Sequence, residues 1–430
     1  MNNVAGFFLY IGGREIAYGD IALLAASVAA ICYLLPHGKI DRKQILVSLL
    51  LVGAACLGAL HTMLRIPETR IIGYHSSWDR YLFGLVGKTE ARITMQTLLM
   101  LARLLLFLLN SYIVFRFDRE ERYRAANYCK TFTKLHILFA AAEILTKYLL
   151  RWNVMTELRD FLFGAGMSTY SSLQLRGGGV AIFGWTREAS HLPEVMFLFV
   201  VLCVLTGDVK RQKGWLILAG VIMVMSMAFS ALLYIGCIAV LMLCVYARRL
   251  NRKTVLALCI GGLSFAGVCC ILASNDYYAA RLEGFFRDAA QIFAGKSSFS
   301  AGVVTSAKVR LLGIVETWKA FLERPLFGLG LGTAYCHSGL VSLLSNLGLV
   351  GTGLWIDYCA NCGFRRGGRK QAYLLFGVIL LLPNIMEGKL SMLYAAHNLL
   401  VIQLMKAYAD FEMNENQVAN YEILSYYHRI

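Results

Sequence analysis

The sequence predicts an all-α, polytopic membrane protein, and three observations predict it. Of its 430 residues 58% are hydrophobic and only 16% charged, where a soluble domain carries roughly a quarter charged residues. Apolar windows of about 20 residues recur along nearly the whole length, each able to cross a hydrocarbon core roughly 30 Å thick. The net charge of +16 is gathered into short clusters between those windows: Lys39/Arg42/Lys43, Arg116 to Lys130, Lys210/Arg211/Lys213, Arg248/Arg249/Arg252/Lys253 and Arg365/Arg366/Arg369/Lys370. Such clusters mark cytoplasmic loops, so the basic balance reports topology and not nucleic acid. Period-two alternation is absent, which excludes a transmembrane barrel.

The elements follow in order. Residues 1–13 have no basic start and too short an apolar core for a cleavable signal, so the first span, 16–35, acts as its own insertion signal. It runs inward from an outside N-terminus to Pro36, Gly38 and a basic cluster. Residues 45–64 return outward, 65–92 form an outer loop with Trp78, Asp79 and Arg80, and 93–115 go in. The charge-dense 116–130 is cytoplasmic, and 131–150 go out. A second outer loop, 151–190, has Gly177-Gly178-Gly179 as a flexible point and carries Arg187 close to the next span, 191–207.

Residues 215–246 test the topology, being apolar throughout and flanked on both sides by basic clusters. One tilted helix would put a cluster outside. Two short helices, broken around Ser226 to Ser230, keep both inside and are tolerated where they line a cavity. The broken pair is expected. Residues 254–273 then lead out to a large outward-facing helical domain, 274–336. Spans at 337–358, 372–386 and 392–408 bring the total to about eleven, before a cytoplasmic tail, 409–430. In domain terms, 1–273 is a transmembrane bundle with outer loops 65–92 and 151–190, 274–336 is the outer domain, and 337–408 holds the C-terminal transmembrane helices.

The chemistry is sought on the outer side. Arg187, Arg281 and Arg310 lie there, and arginine near a membrane is costly unless it snorkels or is paired. Guanidinium is permanently charged and donates paired hydrogen bonds to phosphate oxygens. The three suit a lipid-linked pyrophosphate; solvated loop charges or headgroup anchors are the alternative. His337 opens an apolar span after a glycine-rich turn and could deprotonate a hydroxyl near neutral pH. A helix-end histidine is more often structural, and His191 and His397 are its rivals. Gly328, Gly330 and Gly332 do not complete GxGxxG, because position 333 is Thr, so a dinucleotide fold is excluded. They let the backbone turn after Pro325, for packing or to offer amides to an anion. The outer acids (Glu68, Asp79, Glu157, Asp160, Glu194, Glu283, Glu316) are dispersed. Cys359 and Cys362 lack the further ligands of a zinc site, and the other cysteines lie mostly in apolar runs as small hydrophobes. Neither a metal nor a cofactor is expected.

In order, these pieces resemble the O-antigen polymerase and O-antigen ligase superfamily of bacterial envelope glycosyltransferases. Arg187 with Pro193 and Glu194 precedes a span, and a Ser-containing apolar break, SMAFSALLYIG, follows. Arg281 opens the outer domain, Arg310 lies on a helix reaching Trp318, and PLFGLGLG comes next. HSGLVSLLSNLGLVG is similar to the family's His-x-x-x-aliphatic-x-x-Leu-x-x-x-Gly-x-x-Gly pattern, with Gly348 and Gly351 in register. The resemblance covers roughly the second half of the chain.

The resemblance implies a GT-C-like helical bundle that works without a metal and inverts the anomeric carbon. Its substrate would be a glycan on undecaprenyl pyrophosphate at the outer face of the bacterial plasma membrane. Arg187 and Arg310 would hold the pyrophosphate, with Arg281 and Glu194 also on the substrate side. His337 would assist attack of the acceptor hydroxyl. The leading expectation is a polysaccharide polymerase, with chain-length regulator and flippase proteins as partners. A ligase is the alternative within the family; Ser338 stands where ligases often have Asn, which weakens it. A lipid-linked glycan transporter is the alternative outside the family, and Arg103 and Glu143, both mid-span, favour it.

Overall fold

The computed structural model describes residues 8–11, 14–17, 24–29, 31–32, 42–64, 69–72, 87–152, 154–163, 175–176, 179–180, 182–186, 191–226, 228–246, 306–361, 369–386 and 398–408, with isolated positions between 279 and 294. Strands β1 (Phe8–Ile11) and β2 (Arg14–Ala17) precede α1 (Arg42–Met63). Strands β3 (Arg70–Ile71) and β4 (Thr89–Glu90) precede α2 (Met95–Val114) and α3 (Arg119–Tyr148). Next come α4 (Val154–Phe163), β5 (Leu175–Arg176), β6 (Gly179–Val180), α5 (Leu192–Leu205), α6 (Lys213–Met225) and α7 (Phe229–Tyr246). Helices α8 (Ser306–Glu323), α9 (Gly339–Asn361) and α10 (Arg369–Phe376), a π-helical turn (Gly377–Leu381) and α11 (Pro383–Met386) follow. Residues 398–408 form α12.

The described residues are mostly helical. Helices α1, α2 and α9 are long and apolar enough to cross a membrane, and shorter apolar helices cover 192–205, 213–225 and 230–245. Their starts follow local chemistry. Thr94 caps α2, its hydroxyl accepting from the Gln96 amide at 3.2 Å. Asp118 caps α3 in a reciprocal box with Glu121, at 2.8 and 2.9 Å. With that cap, the charge-dense 116–130 and the apolar residues beyond it form one helix of 30 residues. Helix α5 ends where Gly207 takes φ +74°, letting the Asp208 amide donate to the Cys203 carbonyl at 2.9 Å.

Two corrections concern the N-terminal stretch and the all-α expectation. Ile16 and Ala17, expected in the first span, lie in β2, which pairs antiparallel with β1 so that Ile11 faces Arg14. Helical structure is described from Leu24, and the Asn110 amide ties it to α2 by donating to Ser27 Oγ at 2.6 Å. Two further antiparallel pairs, β3–β4 and β5–β6, make the architecture mainly rather than wholly helical.

Polar contacts order the ends of the bundle. The Gln44 amide donates to Ser111 Oγ at 3.2 Å and to the Tyr358 hydroxyl at 3.0 Å, and those two hydroxyls also share a hydrogen bond. Gln44 follows Arg42 and Lys43, Ser111 precedes the 116–130 cluster, and Tyr358 precedes Arg365 and Arg366. The Gln44–Ser111–Tyr358 contact therefore brings the Arg42/Lys43 start of α1 and the Arg116 end of α2 to one end of the bundle, called here the basic end. Helices α5, α6 and α7 extend the pattern. Lys130 reaches Asp208 and, at 3.2 Å, Thr206 Oγ1 just past α5, while Lys134 lies 5.3 Å over the Trp215 ring at the start of α6. Tyr234, early in α7, meets Phe197 in the first half of α5, with ring centroids 5.3 Å apart. The chain thus climbs along α6, breaks at 226–228 and packs back along α5. The break expected near Ser226 to Ser230 is present, and its hairpin course starts α6 at the basic end.

At the opposite end, the turn after α8 wedges between three helices. Gly328, Gly330 and Gly332 have φ of +69°, +85° and +73°. A Cβ at Gly328 would meet the Asn346 and Gly348 backbone at 2.6 Å, at Gly330 the Ala59 backbone at 2.9 Å, and at Gly332 the Gln96 carbonyl at 2.8 Å. Helix α9 is itself interrupted at Gly348 (φ 66°, ψ −173°). The groups it frees pair with the turn: Leu329 and Gly330 amides donate to Ser345 and Asn346 carbonyls at 2.9 and 3.0 Å. In return, Leu349 and Val350 amides donate to Pro325 and Leu326 carbonyls at 2.7 and 3.1 Å.

A glycine pair tests this wedge. Gly328→Ala must hold an L side chain at positive φ, about 1–2 kcal/mol by itself, and also displace backbone. It is expected to lower the thermal midpoint of the detergent-solubilised protein by several degrees. Gly353→Ala, on α9 with open space around it, is expected to leave the midpoint unchanged or raise it slightly.

Candidate functional site

The end opposite the basic clusters is organised by Asn346. Its Oδ1 accepts from the Thr333 and Ala334 amides at 2.9 and 3.1 Å, and its Nδ2 donates to the Ala334 and Ser342 carbonyls at 2.8 and 2.6 Å. This fixes the segment that leads into His337. The Gly328, Leu329 and Gly330 amides also donate to carbonyls of the protein. The close backbone approaches at Gly328, Gly330 and Gly332 support the packing reading of those glycines.

His337 is half-buried and packs edge-on to Tyr335, with centroids 5.7 Å apart. It directly precedes Ser338, which caps α9 by accepting from the Val341 amide at 3.2 Å. Arg310 is half-buried on α8, a helix that packs on α9 and β3. Glu194 sits in the first turn of α5 with an Oε 3.9 Å from His191 Nδ1. Arg187 and Arg281 lie outside the described residues, as does His397.

Of the predicted site residues, Glu194 lines a cavity. It encloses about 60 Å³, between α5, α7, the π-turn, α11 and α12. Its polar wall is Glu194, Tyr234, Asn384 and Asn398, and its apolar wall includes Phe197 and Ile379. Arg310 and His337 do not line it. His337 is nevertheless one residue from the wall: Ser338 Oγ donates to the Asn384 carbonyl at 3.1 Å, while Asn384 Nδ2 donates to the Leu380 carbonyl at 2.7 Å. Irregular π-turns of this kind recur at functional sites.

Sequence reasoning missed Tyr234, Asn384 and Asn398, which look ordinary until the fold gathers them from α7, α11 and α12. It also missed Arg324, only 6% exposed, whose guanidinium donates to Thr69 Oγ1 at 3.2 Å and to Thr62 Oγ1 at 2.9 Å. Thr62 donates in turn to the Leu329 carbonyl at 2.8 Å. This chain locks α8 and the glycine turn onto α1.

Glu143 has a structural use. One carboxylate oxygen accepts from Lys147 Nζ at 2.5 Å, and the other from the Phe183 and Gly184 amides at 3.0 and 2.5 Å. Lys147 also lies 5.2 Å over the Phe183 ring, and Trp185 packs edge-on to Phe139. The pair clamps residues 182–186 immediately before Arg187. Glu316, on α8, pairs with Lys88 and, at 2.8 Å, with Lys319. Burial works to raise its carboxyl, but the hydrogen bonds and charges of Lys319 and Lys88 outweigh burial and hold it below the ordinary glutamate value. Among the described residues, no group of His, Cys, Asp and Glu is arranged to hold a metal ion.

No family model matches the chain, and neither the curated proteins nor the solved structures contain a match to it.

Two outcomes follow from the ion pairs. Because the folded Glu316 carboxyl titrates below its unfolded value, its stabilisation is present at neutral pH and is lost as pH falls through the folded value. Thermal midpoints of wild type and Glu316→Gln should therefore differ at pH 7 and converge between about pH 5 and pH 3. Lys147→Met leaves the Glu143 carboxylate buried without its cation, a loss of roughly 3–5 kcal/mol. The Glu143→Gln/Lys147→Met double variant should recover part of that loss in a thermal-shift cycle.

Proposed function

We propose that the chain is a multi-pass protein of the bacterial plasma membrane that polymerises a surface polysaccharide. It transfers a growing glycan from undecaprenyl pyrophosphate to the acceptor sugar of a lipid-linked repeat unit. On this reading about eleven spans cross the bilayer, the basic end is cytoplasmic, and chemistry proceeds at the outer, glycine-turn end.

The observation that carries the proposal is the union of the two stretches most similar to the family. PLFGLGLG and HSGLVSLLSNLGLVG are held together by the backbone pairing across Gly348, and the Asn346 side chain fastens Thr333 and Ala334, which connect them. That union forms at the end away from the basic clusters and terminates in His337. Apolar side chains exposed along α1 and α2, such as Leu49 and Leu98 at 64% and 54%, suit contact with lipid. Glu143, which with Arg103 favoured a transporter, is engaged by Lys147 and two backbone amides.

Arg310 and Arg187, with Arg281, would neutralise the pyrophosphate as charge builds on the leaving oxygen. His337 would accept the acceptor hydroxyl proton as that oxygen attacks the anomeric carbon from the opposite face, inverting it. No metal enters the scheme. In a deletion strain complemented with Arg310→Ala, long chains should fall by about 100-fold or more at unchanged protein abundance, leaving a single repeat unit on the final acceptor. Normal chain length would remove Arg310 from the mechanism. Full-length glycan stranded on the lipid carrier would identify a ligase instead.

A further inference from the structure

The cavity beside α5 has a chemical character that separates it from the arginines. No lysine, arginine or histidine lines it among the described residues, and its one ionisable acid is the Glu194 carboxylate. Tyr234 and Asn398 are 5% and 8% exposed, and each brings a group able to both donate and accept. Asn384 adds a carboxamide, one of whose protons is already given to the Leu380 carbonyl. Phe197 and Ile379 add apolar surface to the lining, with the Phe197 and Tyr234 rings tilted at 40° to each other.

Neutral groups that donate and accept side by side, one carboxylate, and an apolar wall suit adjacent hydroxyls on a ring whose other edge is carbon-bound hydrogen. We infer that this cavity binds the hydroxyl edge of an uncharged sugar ring. Resting on the polymerase reading, it is the acceptor subsite, with the phosphate held elsewhere. The link from Ser338 Oγ to the Asn384 carbonyl at 3.1 Å fixes the cavity wall to the residue that follows His337. The interrupted geometry of Gly377–Leu381, where the Leu382 amide donates to the Gly377 carbonyl at 2.7 Å, shapes the floor by turning Ile379 and Leu380 inward.

The test uses the full chain in nanodiscs and saturation-transfer NMR with a panel of methyl glycosides of neutral hexoses and N-acetylhexosamines. At least one glycoside should show transfer to its ring protons. Asn398→Leu, which replaces the carboxamide by an apolar side chain of similar size, should weaken that binding by about tenfold or more, and the neutral, smaller Asn398→Ser should also weaken it while keeping a thermal midpoint close to wild type. Inorganic pyrophosphate should not compete. The inference is overturned if no glycoside binds, if both Asn398 variants bind as wild type does, or if pyrophosphate displaces the sugar. Elongation of a lipid-linked repeat unit, followed in parallel, separates the two readings. Elongation without glycoside binding overturns the subsite alone; glycoside binding without elongation keeps the sugar site and overturns the polymerase.

Discussion

A helix interrupted inside an apolar bundle must find a partner for every backbone group it releases, because water is not there to supply one. Here the interruption is at Gly348, and the partner is the chain that immediately follows α8. The turn can come close enough only because glycine stands at Gly328, Gly330 and Gly332, each backed against a different neighbour. Asn346 completes the arrangement by using its side-chain amide on the next piece of backbone. Most of the other geometry at that end follows. The segment into His337 is fixed from below, α9 is capped by Ser338, and α8 is locked down through Arg324.

The same logic operates wherever polar side chains enter the bundle. Gln44, Ser111 and Tyr358 satisfy one another and align α1, α2 and α9 at the basic end. Lys130 and Asp208 join α3 to the chain leaving α5, and Glu143 with Lys147 fastens residues 182–186. Isolated, any of these groups would be expensive to bury. Paired, they fix which helix faces stand opposite one another, a choice that apolar contacts alone leave loose. The acceptor cavity lies between elements aligned in this way, which gives four polar side chains from separate helices a common opening.

What could be read from the chain was mostly what is local in it. The break near Ser226 followed from apolar length and flanking charge, and the exclusion of a dinucleotide fold followed from Thr333. Glu194, put on the substrate side by the family resemblance, lines the cavity beside α5. The β1–β2 hairpin was overlooked although Gly12-Gly13 lies between two short apolar runs, because hydropathy outweighed turn chemistry there. Arg324 and Gln44 gave no signal, since their partners lie 262 and 314 residues away. Asn384, Asn398 and Tyr234 were likewise silent; an asparagine near a helix end reads as a cap until a cavity forms around it. The arginines were chosen for chemistry, and their neighbours come from tertiary structure that spacing does not encode.

The central claim is that sugar transfer occurs at the glycine-turn end without any outside source of energy. The direct measurement reconstitutes the purified chain in liposomes with an undecaprenyl-pyrophosphate-linked repeat unit, no nucleotide and no ion gradient. The account predicts longer glycans on the carrier, with one undecaprenyl pyrophosphate released for each bond formed. Repeat units that cross the bilayer unchanged, or that stay unextended with folded protein present, would contradict it.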